Sequence, residues 1–179
     1  MLIFNKILKA ILILLFISHC SLAQKKGKLS NPYQKLKPDS VIMYDFEGNT
    51  ILSAEGEISE YKSKFRLNKS IAKKFSRTIG KSSSYGQLTG DCWDPHLGIV
   101  YFANGKPSAF INVCFYCNIL QPSLKIEAIK DEDYGTRKFE SGMSKSFRMY
   151  LKNILANKNF THLVNESSVE SIVDQTTSK

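Results

Sequence analysis

The chain has 179 residues, 42% of them hydrophobic and 11% aromatic, and a formal net charge of +9. That length holds one domain with one core and excludes a (β/α)8 barrel or a two-domain dehydrogenase. The apolar and aromatic content excludes disorder of the whole chain.

Residues 1–23 read as a secretory signal peptide. Lys6 and Lys9 supply a positive start, and residues 10–17 form an apolar run too short for a stable membrane anchor. Ser21-Leu22-Ala23 places small residues at −3 and −1, so cleavage before Gln24 is expected. Ile17-Ser18-His19-Cys20 is the alternative: it resembles a lipobox, with Cys20 as the lipidated residue and His19 where that pattern has Gly, Ala or Ser. Either way the expected location is outside the cytosol: periplasmic, secreted or associated with an outer membrane. Membrane contact is expected only through the signal peptide or the lipid. Without the leader, 23 basic side chains face 16 acidic ones. The lysines are dispersed and not interleaved with aromatics along one element, so no nucleic-acid partner is expected.

Residues 24–39 hold five lysines with Pro32 and Pro38 and read as a basic tether. Alternation predicts a strand over 41–46, with Ile42, Tyr44 and Phe46 on one face. Glu47-Gly48-Asn49 predicts a turn, and 50–53 a short strand pairing back. Tyr61, Phe65 and Leu67 alternate as a third strand. Ile71, Phe75 and Ile79 recur every four residues and predict a helix over 69–79, with Asn68 as N-cap and Gly80 as the C′ residue. Residues 81–90 read as a Ser/Gly-rich loop. Gly80-Lys81-Ser82 is not a phosphate-binding loop, because Phe75 stands where its first glycine belongs.

The clearest supersecondary signal is a hairpin. Residues 97–103 read as one strand, 108–116 as its return, and Asn104-Gly105 as a two-residue turn whose central positions need positive φ. Beyond it, 125–129 reads as a strand, and Asp131-Glu132-Asp133 as a solvated turn lacking the glycine and glutamate of a calcium loop. Residues 144–156 predict a second helix, capped by Ser144, with Phe147, Tyr150, Leu151, Ile154 and Leu155 on one face. Residues 160–164 read as a last strand or irregular packing, and 165–179 as a polar tail. The resulting fold class is α+β: one domain over 40–164, a small antiparallel sheet with two helices packed on one face.

Unusual chemistry collects in one place. After the leader, the chain has three cysteines, and all three fall with His96 between Cys92 and Cys117, as Cys92-x3-His96 and Cys114-x2-Cys117. With a two-residue turn, Cys92 faces Cys117 and Pro95 faces Cys114; with the register slipped by one, His96 faces Cys114. Both registers bring the four side chains to the open end of one ribbon. Three readings fit. One is a disulfide from Cys92 to Cys114 or Cys117, in keeping with an oxidising compartment. It leaves one cysteine over. Another is a metal site of three cysteines and one histidine, using Cys92, His96, Cys114 and Cys117, with zinc or copper(I) as the ion and Asp94 as acceptor for the second ring nitrogen. The third is a redox-active dithiol at Cys114 and Cys117, although the motif closes a strand instead of opening a helix. No His-x-Glu deaminase motif and no Gly-x-Ser-x-Gly elbow occurs. Trp93, the single tryptophan, is expected to cover the core at that end of the hairpin.

The run from Cys92-Trp93-Asp94-Pro95-His96 through Gly98-Ile99-Val100-Tyr101, followed by Cys114-Phe115-Tyr116-Cys117, resembles a pattern in uncharacterised exported bacterial proteins. They have Cys-x-x-Pro-His before a Gly-Ile-Val-aromatic strand and Cys-Phe-x-Cys on the return strand. The resemblance covers the hairpin alone, implies that the Cys/His set belongs together, and implies no specific activity. Two functional expectations follow: a non-enzymatic exported domain with a structural disulfide or metal centre, or a thiol-disulfide oxidoreductase or redox sensor of the cell envelope.

Overall fold

The computed structural model describes residues 30–90, 92–134 and 137–160, with only the backbone described over 131–134 and 137–140. The expected signal peptide with Cys20 and the polar tail over 165–179 lie outside the described residues, as does 160–164 apart from Phe160.

A five-stranded antiparallel sheet forms the centre. Its strands are β1 (Ser40–Phe46), β2 (Tyr61–Arg66), β4 (Leu97–Ala103), β5 (Lys106–Cys114) and β6 (Ile119–Pro122), in the order β2-β1-β4-β5-β6. Between β2 and β4 in the chain lies the short β3 (Tyr85–Gln87). It pairs with β9 (Gly142–Met143), and β7 (Asp131–Tyr134) pairs with β8 (Arg137–Glu140). The near-continuous apolar run of β4 reflects its position: Leu97 to Tyr101 are all buried, so both faces of the strand are covered.

One face carries the helices α1 (Pro32–Lys35), α2 (Lys69–Thr78) and α3 (Lys145–Leu155). Met43, Ile99, Tyr101, Ile111 and Val113 pack there with Phe75 and Ile79 from the α2 region and Phe147, Leu151 and Leu155 of α3. Phe75 and Phe147 stack with ring centroids 6.4 Å apart, which seats the two longer helices against each other. Both expected N-caps form. Asn68 accepts from the Ile71 amide and Ser144 from the Phe147 amide. This is the α+β class that the periodicities predict.

The opposite face is covered by chain. Tyr44, Phe46 and Val100 pack under Ile51, with Leu52 and Ile58 beside them. The expectation that residues 50–53 pair back on β1 as a strand is therefore corrected. Both edges of β1 are taken by β2 and β4, and the segment makes only a bridge from Leu52 to Ile58. The buried Asn112 holds it down: its Oδ1 accepts from the Ile51 amide at 3.0 Å and its Nδ2 donates to Thr50 Oγ1 at 3.1 Å. Gly98 makes this approach fit, since a Cβ there would sit 2.4 Å from Ile51 Cβ.

Five further expectations are corrected. Residues 31–36 of the expected tether belong to the domain: Tyr33 is 1% exposed and donates its hydroxyl to the Phe110 carbonyl at 2.7 Å. Gly80 does not take the positive φ of a C′ glycine; instead a Cβ there would overlap the Asn31 side chain, which donates to the Ser76 carbonyl. The 81–90 loop contains a 3-10 turn, Ser82–Ser84, and then β3. Residues 125–129 form a turn that buries Ile126 and Ala128, whereas Asp131 to Tyr134 form a paired strand and not a solvated turn.

Candidate functional site

The hairpin of β4 and β5 turns through Asn104 (φ 52°) and Gly105 (φ 73°), the left-handed pair that the sequence requires. Ala103 faces Lys106 and Phe102 faces Pro107, but a bulge then moves the register by one, so Tyr101 faces Ala109 and Leu97 faces Val113. The slip comes from Pro107, which has no amide to give to the ladder, while the Ser108 hydroxyl donates to the Tyr101 carbonyl at 3.0 Å. His96 therefore comes level with Cys114, and its amide continues the ladder to the Val113 carbonyl at 3.3 Å.

Beyond Cys114 the chain reverses through Phe115 to Asn118 and returns as β6, with Asn118 at φ 57°. The tight reversal brings the Cys117 amide to Cys114 Sγ, donating at 3.1 Å. The loop before β4 closes over this turn. The Gly90 amide donates to the Cys117 carbonyl at 2.8 Å, and Cys92 is joined to Cys117 by a disulfide with Cα atoms 5.6 Å apart. Cys114 stays outside that bond, fully buried beside it. The three Sγ atoms all lie within 4.8 Å of one another. Of the two expected disulfides, the structure forms the one to Cys117.

His96 does not join the sulfurs. It is outside the group of close ligand atoms among the described residues. Its Nδ1 lies 3.3 Å from the Phe46 carbonyl and its Nε2 3.1 Å from Asp94 Oδ2. Both ring nitrogens thus face oxygen atoms away from the cysteines. The expected set of three cysteines and His96 is corrected to the three cysteines alone, because the ring at 96, although level with Cys114, lies against the Phe46 carbonyl and Asp94. Asp94 does pair with the imidazole as expected. Trp93 clamps the same end by donating Nε1 to the Asn49 carbonyl at 3.1 Å.

Compared with protein-family models, curated proteins and solved structures, the chain matches none of them significantly.

A second set of residues steadies the cysteine turn. Asn118 Nδ2 donates to the Leu88 carbonyl at 2.8 Å, and its Oδ1 accepts from Arg148 at 3.0 Å. Arg148, buried in α3, also donates to the Met143 carbonyl and to Gln87 Oε1. One guanidinium thus ties α3, β3, β9 and the 115–118 turn together, using its several fixed donors. Sequence reasoning does not find it, since an arginine in an amphipathic helix reads as solvent-facing. The only signal available is its place: Arg148 follows Phe147 and precedes Leu151 on the apolar side.

Chemically, the cluster has two mutually exclusive uses. With the disulfide formed, two of the three sulfurs are spent and the loop is fastened to the sheet. With it reduced, three thiolates at this spacing suit a soft or borderline ion such as zinc or copper(I). Cys114 and Cys117 are both 0% exposed, so an external disulfide has no direct approach to them.

Proposed function

We propose that the protein is an exported, non-enzymatic domain in which Cys92–Cys117 locks the 88–96 loop over the end of the central hairpin. The observation that carries this reading is the bond itself, which joins two cysteines 25 positions apart at the mouth of the ribbon. The leader-like residues 1–23 support export, and a structural disulfide suits an oxidising compartment. The periplasm, the outer membrane and the medium all fit, as does lipid attachment at Cys20. The experiment is intact mass after thiol alkylation in denaturant without reductant. A chain cleaved before Gln24 gains one alkyl group, at Cys114, and two more after reduction. Three groups before reduction would overturn the staple. Cys92→Ser removes the cross-link and costs about 3.5 kcal/mol of stability by the chain-entropy relation for a loop of this size, read from urea unfolding.

The distance among the three sulfurs favours a second reading, in which the reduced cluster holds zinc or copper(I). Cys114→Ser separates the two. It leaves the disulfide intact and removes a metal ligand, so it lowers metal content only if the second reading holds. An unchanged metal content, or none in the wild type purified reduced and without chelator, ends that reading.

A further inference from the structure

Away from the cysteines, a groove of about 650 Å³ runs between α1, the start of β1 and α2. That volume is typical of small-ligand sites, roughly 300–1,000 Å³. Its floor is apolar, from Leu36, Val41, Leu67 and Ala72. Its rim is cationic: Arg66 at the end of β2, then Lys69, Lys73 and Arg77 at successive four-residue steps along one side of α2. All four cations are exposed. None forms an ion pair with a described residue. The single carboxylate in the lining, Asp39, is turned away. Its Oδ2 accepts from the Asn104 amide, and Arg66 reaches only its backbone carbonyl, at 3.1 Å. The first turn of α2 contains no acid, so the partial positive charge of the helix start adds to the same field.

We infer that this groove binds a long-chain carboxylate, the acyl chain lying on the apolar floor and the head group held by Lys69, Lys73 and Arg77. An apolar body is required because the floor offers carbon. An anionic head is required because three to four cations share one wall with no carboxylate among the described residues directed at them. A nucleotide fits poorly. The one aromatic ring in the lining, Tyr33, is packed on Tyr101 at 5.1 Å with its hydroxyl bonded to Phe110, which leaves no platform for a base. The occupant is a single dissolved amphiphile and not a bilayer surface, because the site is a recess bounded on both long sides.

The test uses the full oxidised chain and sodium palmitate below its aggregation range, followed by displacement of a fluorescent fatty acid at low ionic strength. Saturable binding at one site is expected, with hexadecanol at least about tenfold weaker, the loss of a charge-assisted contact. The triple variant Lys69→Gln, Lys73→Gln, Arg77→Gln should bind palmitate about tenfold or more weakly with its melting temperature preserved, since these side chains are exposed. Ala72→Phe, which fills the floor, should weaken palmitate and hexadecanol alike. Absence of saturable binding, equal affinity for hexadecanol, or an unaffected triple variant overturns the proposal. So does sedimentation with anionic vesicles in place of monomer binding. A carbodiimide cross-link from Lys69 or Lys73 to Glu166, Glu170 or Asp174 would give the groove to the chain's own C-terminal residues and overturn it as well.

Discussion

Gly98 and Asn112 face each other across β4 and β5, and each answers the same problem. A chain segment without strand partners must be laid on a sheet face without stranding its polar backbone. The glycine removes the side chain that would hold the segment off, and the buried amide supplies the hydrogen bonds that the missing ladder would have made. Gly98→Ala places a Cβ inside contact distance of Ile51 and should cost about 1–3 kcal/mol, as overpacking does, seen as a lower urea midpoint with an unchanged m-value. A neutral result would mean that the 50–52 segment sits away from the sheet. Cys114 is a similar case of one residue set by its neighbours. Its burial comes from closing the last rung of β5 against Ile119, and its sulfur receives the Cys117 amide because the reversal is tight.

Helix ends and turns are decided locally. Asn68 and Ser144 cap α2 and α3 with side-chain oxygens on the amides three residues later, so truncation of either removes a defined bond. Asn68→Ala should lower stability by about 1 kcal/mol, the usual value of an N-cap. Ser144→Ala should cost more, because the same Oγ also donates to the Ser83 carbonyl at 2.9 Å and so joins α3 to the turn before β3. Paired thermal melts check the order. A larger loss for Asn68→Ala would show that the tie between Ser144 and Ser83 contributes nothing.

Across the molecule, the helix-bearing core is rich in buried phenols. Burial is the main force raising the ionisation of Tyr33, Tyr85 and Tyr101 above its ordinary range, and neighbouring phenols add to it for Tyr85 and Tyr101. Each folded pKa is higher than its unfolded value near 10, so the folded state keeps protons that the unfolded state would lose. The stabilisation is complete below about pH 10 and declines above it, by up to about 1.4 kcal/mol per pH unit for each such tyrosine. Alkaline titration followed at 295 nm should show exposed phenols ionising first. The buried ones should then ionise together with loss of the circular dichroism signal. Ionisation of all phenols near pH 10 with the fold intact would contradict the buried arrangement.

Short-range pattern alone determines much of this protein. The Asn104-Gly105 reversal, both capped helices, the strand at 41–46 and the gathering of Cys92, Cys114 and Cys117 follow from φ preferences, capping chemistry and spacing, all of which act over a few residues. Tertiary structure decided the rest. Whether residues 50–53 form a strand depends on whether an edge of β1 is open, and β2 and β4, distant in sequence, close both. Whether residues 31–36 are tether or core depends on Tyr33 finding the Phe110 carbonyl on the other side of the domain. Which cysteine bonds to Cys92 depends on the reversal through Phe115 to Asn118, which lies beyond the ladder and carries Cys117 under the incoming loop. That the His96 ring lies against Phe46 and Asp94 and not against the sulfurs depends on the end of β1 standing beside it. A constellation read from spacing therefore gives the members of a site, while only the assembled chain, by fixing which backbone and side-chain groups each member meets, gives its ligands.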